Sequence, residues 1–80
     1  MPIELTLYGT SHCHLCEQAE AVLLPFVAAS QCQVELIDIA EDESLLTLYG
    51  TRIPVLRHGP TGITLDWPFD SSAVARLLQE

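Results

Sequence analysis

The sequence predicts a small α/β domain in the order βαβαββα, with four strands in one mixed sheet flanked by helices. Three observations carry this. Residues 3–8 alternate apolar and polar side chains, as a half-buried strand does. A helical repeat begins around Cys13-His14-Leu15-Cys16, directly after a short break. Further on, Ile53-Pro54 leads into a hairpin that a final helix closes.

The first strand sets Ile3, Leu5 and Leu7 against Glu4, Thr6 and Tyr8, and Gly9-Thr10-Ser11-His12 ends it. Thr10 or Ser11 is the expected cap of the first helix. Leu15, Ala19, Val22, Leu23, Phe26 and Val27 recur at helical spacing, while Glu17, Gln18 and Glu20 lie mostly off that stripe. Pro25 has no N–H to donate, so a kink or an altered last turn is expected there. Residues 33–39 read as a second, largely buried strand. Asp38, Glu41, Asp42 and Glu43 then cap a short helix through Leu45, Leu46 and Tyr49, closed by Gly50. Residues 53–57 read as a third strand with Pro54 at its start, where a missing donor does least harm. His58-Gly59-Pro60-Thr61-Gly62 is the expected turn, with His58 exposed, and residues 63–65 are the fourth strand. Trp67-Pro68-Phe69-Asp70 breaks the pattern before a last helix at 71–79, with Asp70 as its N-cap.

The whole chain, residues 1–80, is expected to form one domain with one core. Hydrophobic residues make up 49%, which excludes a disordered chain. The net charge is −8, there is no lysine, and the strong bases are Arg52, Arg57 and Arg76. Nucleic acid and anionic membrane surfaces both require clustered positive charge, so neither is an expected partner. Met1-Pro2-Ile3-Glu4 has no basic leader pattern, and no apolar run is long enough to span a bilayer. A cytoplasmic location is the resulting expectation. Three cysteines are too few for a disulfide scaffold and read as a working pair plus Cys32, a small core residue.

Cys13 and Cys16 carry the chemistry. A cysteine at a helix start lies beside unpaired N–H groups and the positive end of the helix dipole, both of which favour thiolate. The i, i+3 spacing places both side chains on one face, roughly 5–6 Å apart at Cβ, close to disulfide geometry. His12 and His14 flank the pair and would tune it when protonated; the alternative is two solvated side chains. Spacing alone leaves two chemistries open, because two thiolates also suit Cu(I) or Zn(II).

Tyr8-Gly9-Thr10-Ser11-His12-Cys13-His14-Leu15-Cys16 and Tyr49-Gly50-Thr51-Arg52-Ile53-Pro54-Val55, in this element order, resemble the thioredoxin fold in its short glutaredoxin-like form. The resemblance covers essentially the whole chain and implies a thiol–disulfide oxidoreductase. It implies that Cys13 attacks a substrate disulfide and Cys16 resolves the mixed disulfide. It implies a cis Pro54 against the cysteines, with the backbone at Ile53 pairing with an extended substrate. Arg52 would meet a substrate carboxylate, the alternative being a solvated charge. Trp67 and Phe69 read first as packing residues and otherwise as an apolar docking edge, and Asp70 would capture substrate backbone. Partners on this reading are a disulfide-containing protein or a glutathione mixed disulfide, with a reductase or glutathione as electron donor. No cofactor is required, glutathione is a candidate cosubstrate, no metal site is expected, and the chain would act as a monomer.

The chain also departs from glutaredoxins. His14-Leu15 replaces their usual Pro-Tyr, Thr10 replaces a lysine, and Trp67-Pro68-Phe69-Asp70 replaces the Gly-Gly stretch that receives glutathione. The alternative function is a soft-metal or iron–sulfur carrier using the same cysteines. Small metal chaperones run βαββαβ, however, and end in a strand, whereas residues 71–79 read as helix. A thioredoxin-fold adaptor with an idle cysteine pair is the third reading.

Overall fold

In the computed structural model, residues 2–80 are described. The elements are β1 (Ile3–Gly9), α1 (His14–Ala28), β2 (Cys32–Asp38), α2 (Glu43–Tyr49), β3 (Val55–His58), β4 (Thr64–Asp66) and α3 (Ser71–Leu77). A single 3-10 turn, Ile39–Glu41, lies between β2 and α2. The order is the expected βαβαββα. The sheet order is β2-β1-β3-β4, parallel between β1 and β2 and antiparallel across the other two pairs.

Register decides which side chains share a face. Leu5 pairs with His58, and Leu7 with Leu56, which pairs in turn with Leu65. These residues lie on the face that α1 and α3 cover, where Ala19, Leu23, Val74 and Leu77 complete the core. Burying one leucine here contributes roughly 1.5–3 kcal/mol. Tyr8, Val55 and Asp66 form a cross-strand row on the opposite face. There the ring of Tyr49 from α2 stacks on Tyr8 with centroids 4.6 Å apart.

Several expectations change once the elements are packed. Strand β2 is an edge strand in which only Cys32 is buried, so it is not the largely buried strand that its apolar content suggested. On α1, Leu15 and Val27 fall outside the covered stripe and are exposed. Pro25 lies inside α1, one turn from its end. The helix runs to Ala28 and closes with Ser30 in the left-handed region, Ser30 N–H donating to Val27 and Gln31 N–H to Phe26. That pattern satisfies the last carbonyls without glycine.

Strand β3 begins at Val55, leaving Ile53 and Pro54 in the preceding loop. It extends through His58, which is fully buried rather than exposed in the turn. Pairing with Leu5 places the imidazole on the core face. Its Nδ1 is hydrogen-bonded to Thr61 Oγ1 at 2.7 Å, and its Nε2 has no partner. Gly62, at φ +76°, closes the hairpin and donates to the His58 carbonyl.

Candidate redox site

The site lies where β1 ends and α1 begins. After Gly9 the chain turns through Thr10, Ser11 and His12, and His12 has a left-handed φ of 58°. The N-cap of α1 is Cys13 itself, not Thr10 or Ser11. Its Sγ accepts a hydrogen bond from Cys16 N–H at 3.1 Å, and its carbonyl accepts from Glu17 N–H at 3.2 Å. Sulfur thus does what a serine or aspartate oxygen does at other caps, satisfying one of the helix's orphan donors.

Cys13 and Cys16 form a disulfide with Cα atoms 5.2 Å apart. Their exposure differs: Cys13 is half-buried and Cys16 is buried. Gly9 explains how the second sulfur fits. A Cβ at Gly9 would stand 2.8 Å from Cys16 Sγ, closer than real side chains approach. Glycine is needed here for space, and nothing in the sequence pattern marked Gly9 for that role. A cavity of about 250 Å³ also reaches Cys16, between Thr10, Ser11 and Glu20 on one side and Leu36 and Asp38 on the other.

The peptide bonds before Pro54 and Pro68 are both cis. Pro54 directly precedes Val55, whose partner Tyr8 directly precedes Gly9. Pro54 is itself fully buried, while Ile53 is half-exposed. The cis bond at Pro68 had no counterpart in the sequence reading.

The remaining candidates are dispersed, and most are already occupied. His14 runs along the exposed helix surface, where its Nε2 accepts from Gln18 Nε2 at 3.0 Å and its Nδ1 lies 3.9 Å from Glu17. His12 is exposed in the turn. Arg52 donates to both carboxylate oxygens of Asp66, at 2.6 and 3.3 Å, and its guanidinium lies 5.3 Å from the Tyr49 ring centre. The hydrogen bonds it donates to Asp66 hold its pKa above the ordinary guanidinium value. Asp70 caps α3 by accepting from Ala73 N–H at 2.9 Å. Trp67 is half-buried against the core and meets the Phe69 ring edge-on at 5.1 Å, with Phe69 buried. Cys32 is buried in β2, and burial pushes its thiol pKa up. Among the described residues, no three His, Cys, Asp or Glu side chains gather as a metal site. Nor is any helix there long and apolar enough to cross a membrane.

Residues 4–79 match the model of the glutaredoxin-like domain family (DUF836). The chain belongs to this family. Two solved structures are similar to this glutaredoxin-like domain over nearly all of both chains. One is XcR50 from X. campestris, seen by X-ray, 41% identical with a TM-score of 0.81, covering 94% of this chain and 95% of that one. The other is Ne2328 from Nitrosomonas europaea, solved by NMR, 34% identical with a TM-score of 0.82, covering 95% and 91%. Thioredoxin 1 from Thermosipho africanus superposes with a TM-score of 0.71 over 95% and 90% of the two chains. At 14% identity that likeness concerns the fold alone, which is the thioredoxin fold. No curated protein matches the sequence. The glutaredoxin-like domain and its cysteine pair together support a redox-type function.

Proposed function

We propose that this glutaredoxin-like domain is a thiol–disulfide oxidoreductase working through Cys13 and Cys16. The observation that carries the reading is the Cys13 sulfur at the N-cap of α1, accepting the Cys16 N–H and bonded to the less accessible Cys16 sulfur. Backbone donors at a helix start stabilise negative charge on that sulfur. In the reduced protein, Cys13 thiolate attacks one sulfur of a substrate disulfide. A Cys13–substrate disulfide forms, and the other substrate sulfur leaves as thiolate and takes a proton from water. Cys16, deprotonated, then attacks Cys13 Sγ, forming the intramolecular disulfide and releasing the second substrate thiol. Two electrons pass from the protein to the substrate, and an external dithiol or a pair of thiols restores the reduced state.

A protein or peptide disulfide suits the site better than glutathione. Glutathione brings two carboxylates, whereas Arg52 is paired with Asp66 and Asp70 is used as a cap. The half-exposed Ile53 beside Pro54 gives its N–H to the Tyr49 carbonyl and offers its own carbonyl to an extended chain. The domain would act as a monomer in the cytoplasm, where thiols are kept reduced.

A redox titration in glutathione buffers, run on the wild type and Cys16→Ser, tests this. The expected outcome is a reversible Cys13–Cys16 disulfide in the wild type. In the variant, mass spectrometry should find Cys13 trapped more readily by a peptide disulfide than by glutathione. Alkylation of both cysteines at ordinary free-thiol rates, with no disulfide under mild oxidant, would overturn the proposal.

A further inference from the structure

The two edges of the sheet are not alike. The β4 edge is three residues long, and its Asp66 is held by Arg52. The β2 edge is seven residues long and pairs with β1 in unbroken register, without proline, lysine or bulge to blunt it. Edges left in that state are templates for another strand. The direction of its free groups follows from one hydrogen bond. Ile3 N–H donates to the Gln31 carbonyl, so residues 31, 33, 35 and 37 turn their backbone toward β1. Val34 and Leu36 therefore turn theirs outward, as alternation along a strand requires.

The side chains of this edge are apolar toward α1, and on the other face a single carboxylate, Glu35, lies between Gln33 and Ile37. Toward α1, Val34 and Leu36 form an apolar groove of about 170 Å³ with Leu24 and Val27. Leu24 and Leu36 are 65% and 58% exposed. On the far face the edge carries Gln33, Glu35 and Ile37, with Glu35 its one charged side chain. Glu20 and Asp38 stand where the groove runs on toward Cys16. No lysine or arginine precedes Arg52, so every charged side chain of α1 and β2, His14 aside, is acidic.

We infer that the β2 edge is a docking site for an extended segment of a partner protein in which apolar residues alternate with lysine or arginine. Added as a strand, that segment takes its main-chain hydrogen bonds from Val34 and Leu36. Its period of two sends apolar side chains into the groove and basic ones to the Glu35 face. A second copy of this chain is a poor occupant, because its own edge would bring the same carboxylates together. The inference does not depend on the redox reading.

Amide NMR of the full chain in 0.15 M salt tests it with two synthetic peptides. One is acetyl-Val-Arg-Val-Arg-Val-Arg-amide; the other has the same composition with the valines and arginines in separate blocks. The alternating peptide should shift residues 20–27 and 32–38, and it should slow hydrogen exchange at Val34 and Leu36. The block peptide should bind at least tenfold more weakly. Leu36→Pro removes one outward donor while sparing the ladder to β1, and should weaken the alternating peptide about tenfold. Leu24→Lys, on an exposed helix position, should weaken it several-fold and serves if the proline variant does not fold. Equal binding of both peptides, shifts spread over the acidic surface, or shifts confined to the cysteines would overturn the inference. So would self-association that protects Val34 and Leu36 without peptide.

Discussion

Cys13 and Cys32 are the same side chain in opposite surroundings. Cys13 stands at a helix start, half-exposed, with a backbone N–H directed at its sulfur. Cys32 begins an edge strand but turns its side chain into the core, where burial raises its pKa. Both follow a short non-helical stretch, so local sequence alone does not separate them. What separates them is the supply of donors and water, which decides whether a sulfur can hold charge. The histidines repeat the lesson: His14 is exposed on α1, while His58 is enclosed with one nitrogen unpartnered.

The largest expected effect breaks the comparison outright. Cys13→Ser should abolish disulfide reduction, while Cys32→Ala should leave the rate close to wild type in the same assay. If the Cys32 variant were the inactive one, the assignment of the working pair would be wrong.

Gly9→Ala comes next, since its new Cβ must displace Cys16 Sγ. Overpacking of this kind costs about 1–3 kcal/mol, and the midpoint potential should shift along with the melting temperature. An unchanged potential would mean that the sulfur is not held by this contact. Thr61→Val removes the hydroxyl on His58 Nδ1 and leaves both ring nitrogens unpaired, costing about 1–3 kcal/mol in denaturant unfolding. His58→Leu, which removes the polar atoms altogether, should be the less damaging change.

Alkaline pH sharpens the contrast between the cysteines. A thiol whose pKa is raised in the folded state keeps its proton there while the unfolded chain loses it. With the Cys13–Cys16 disulfide intact, Cys32 contributes full stability below its unfolded value of about 8.5. That contribution is lost as pH rises toward the higher folded value. Cys32→Ala should flatten this part of the stability profile. The smallest effect belongs to Arg52→Gln, because the pair with Asp66 is exposed and such pairs add little. Its melting temperature should hardly change.

Much of the fold was legible because its signals are local. Alternation in residues 3–8, the helical repeat after Cys13 and the glycine-containing turn before β4 depend on near neighbours. So does the cap at Asp70, since its carboxylate reaches only to Ala73. The cysteine pair was legible for the same reason: three residues of helix bring the two side chains together. The start of β3 is less legible, because apolar Ile53 reads like a strand residue while only pairing with Tyr8 fixes Val55 as the first rung.

The sequence by itself determined the element order, the helix-start position of Cys13 and Cys16, and the acidic surface, all set by neighbours within a turn or by composition. Tertiary structure decided the rest. It placed β2 at the edge, enclosed His58, set Asp66 against Arg52 and left room at Gly9 for a sulfur seven residues away. Each of these depends on which strand lies beside which, and that is settled only when the whole sheet closes on α1 and α3.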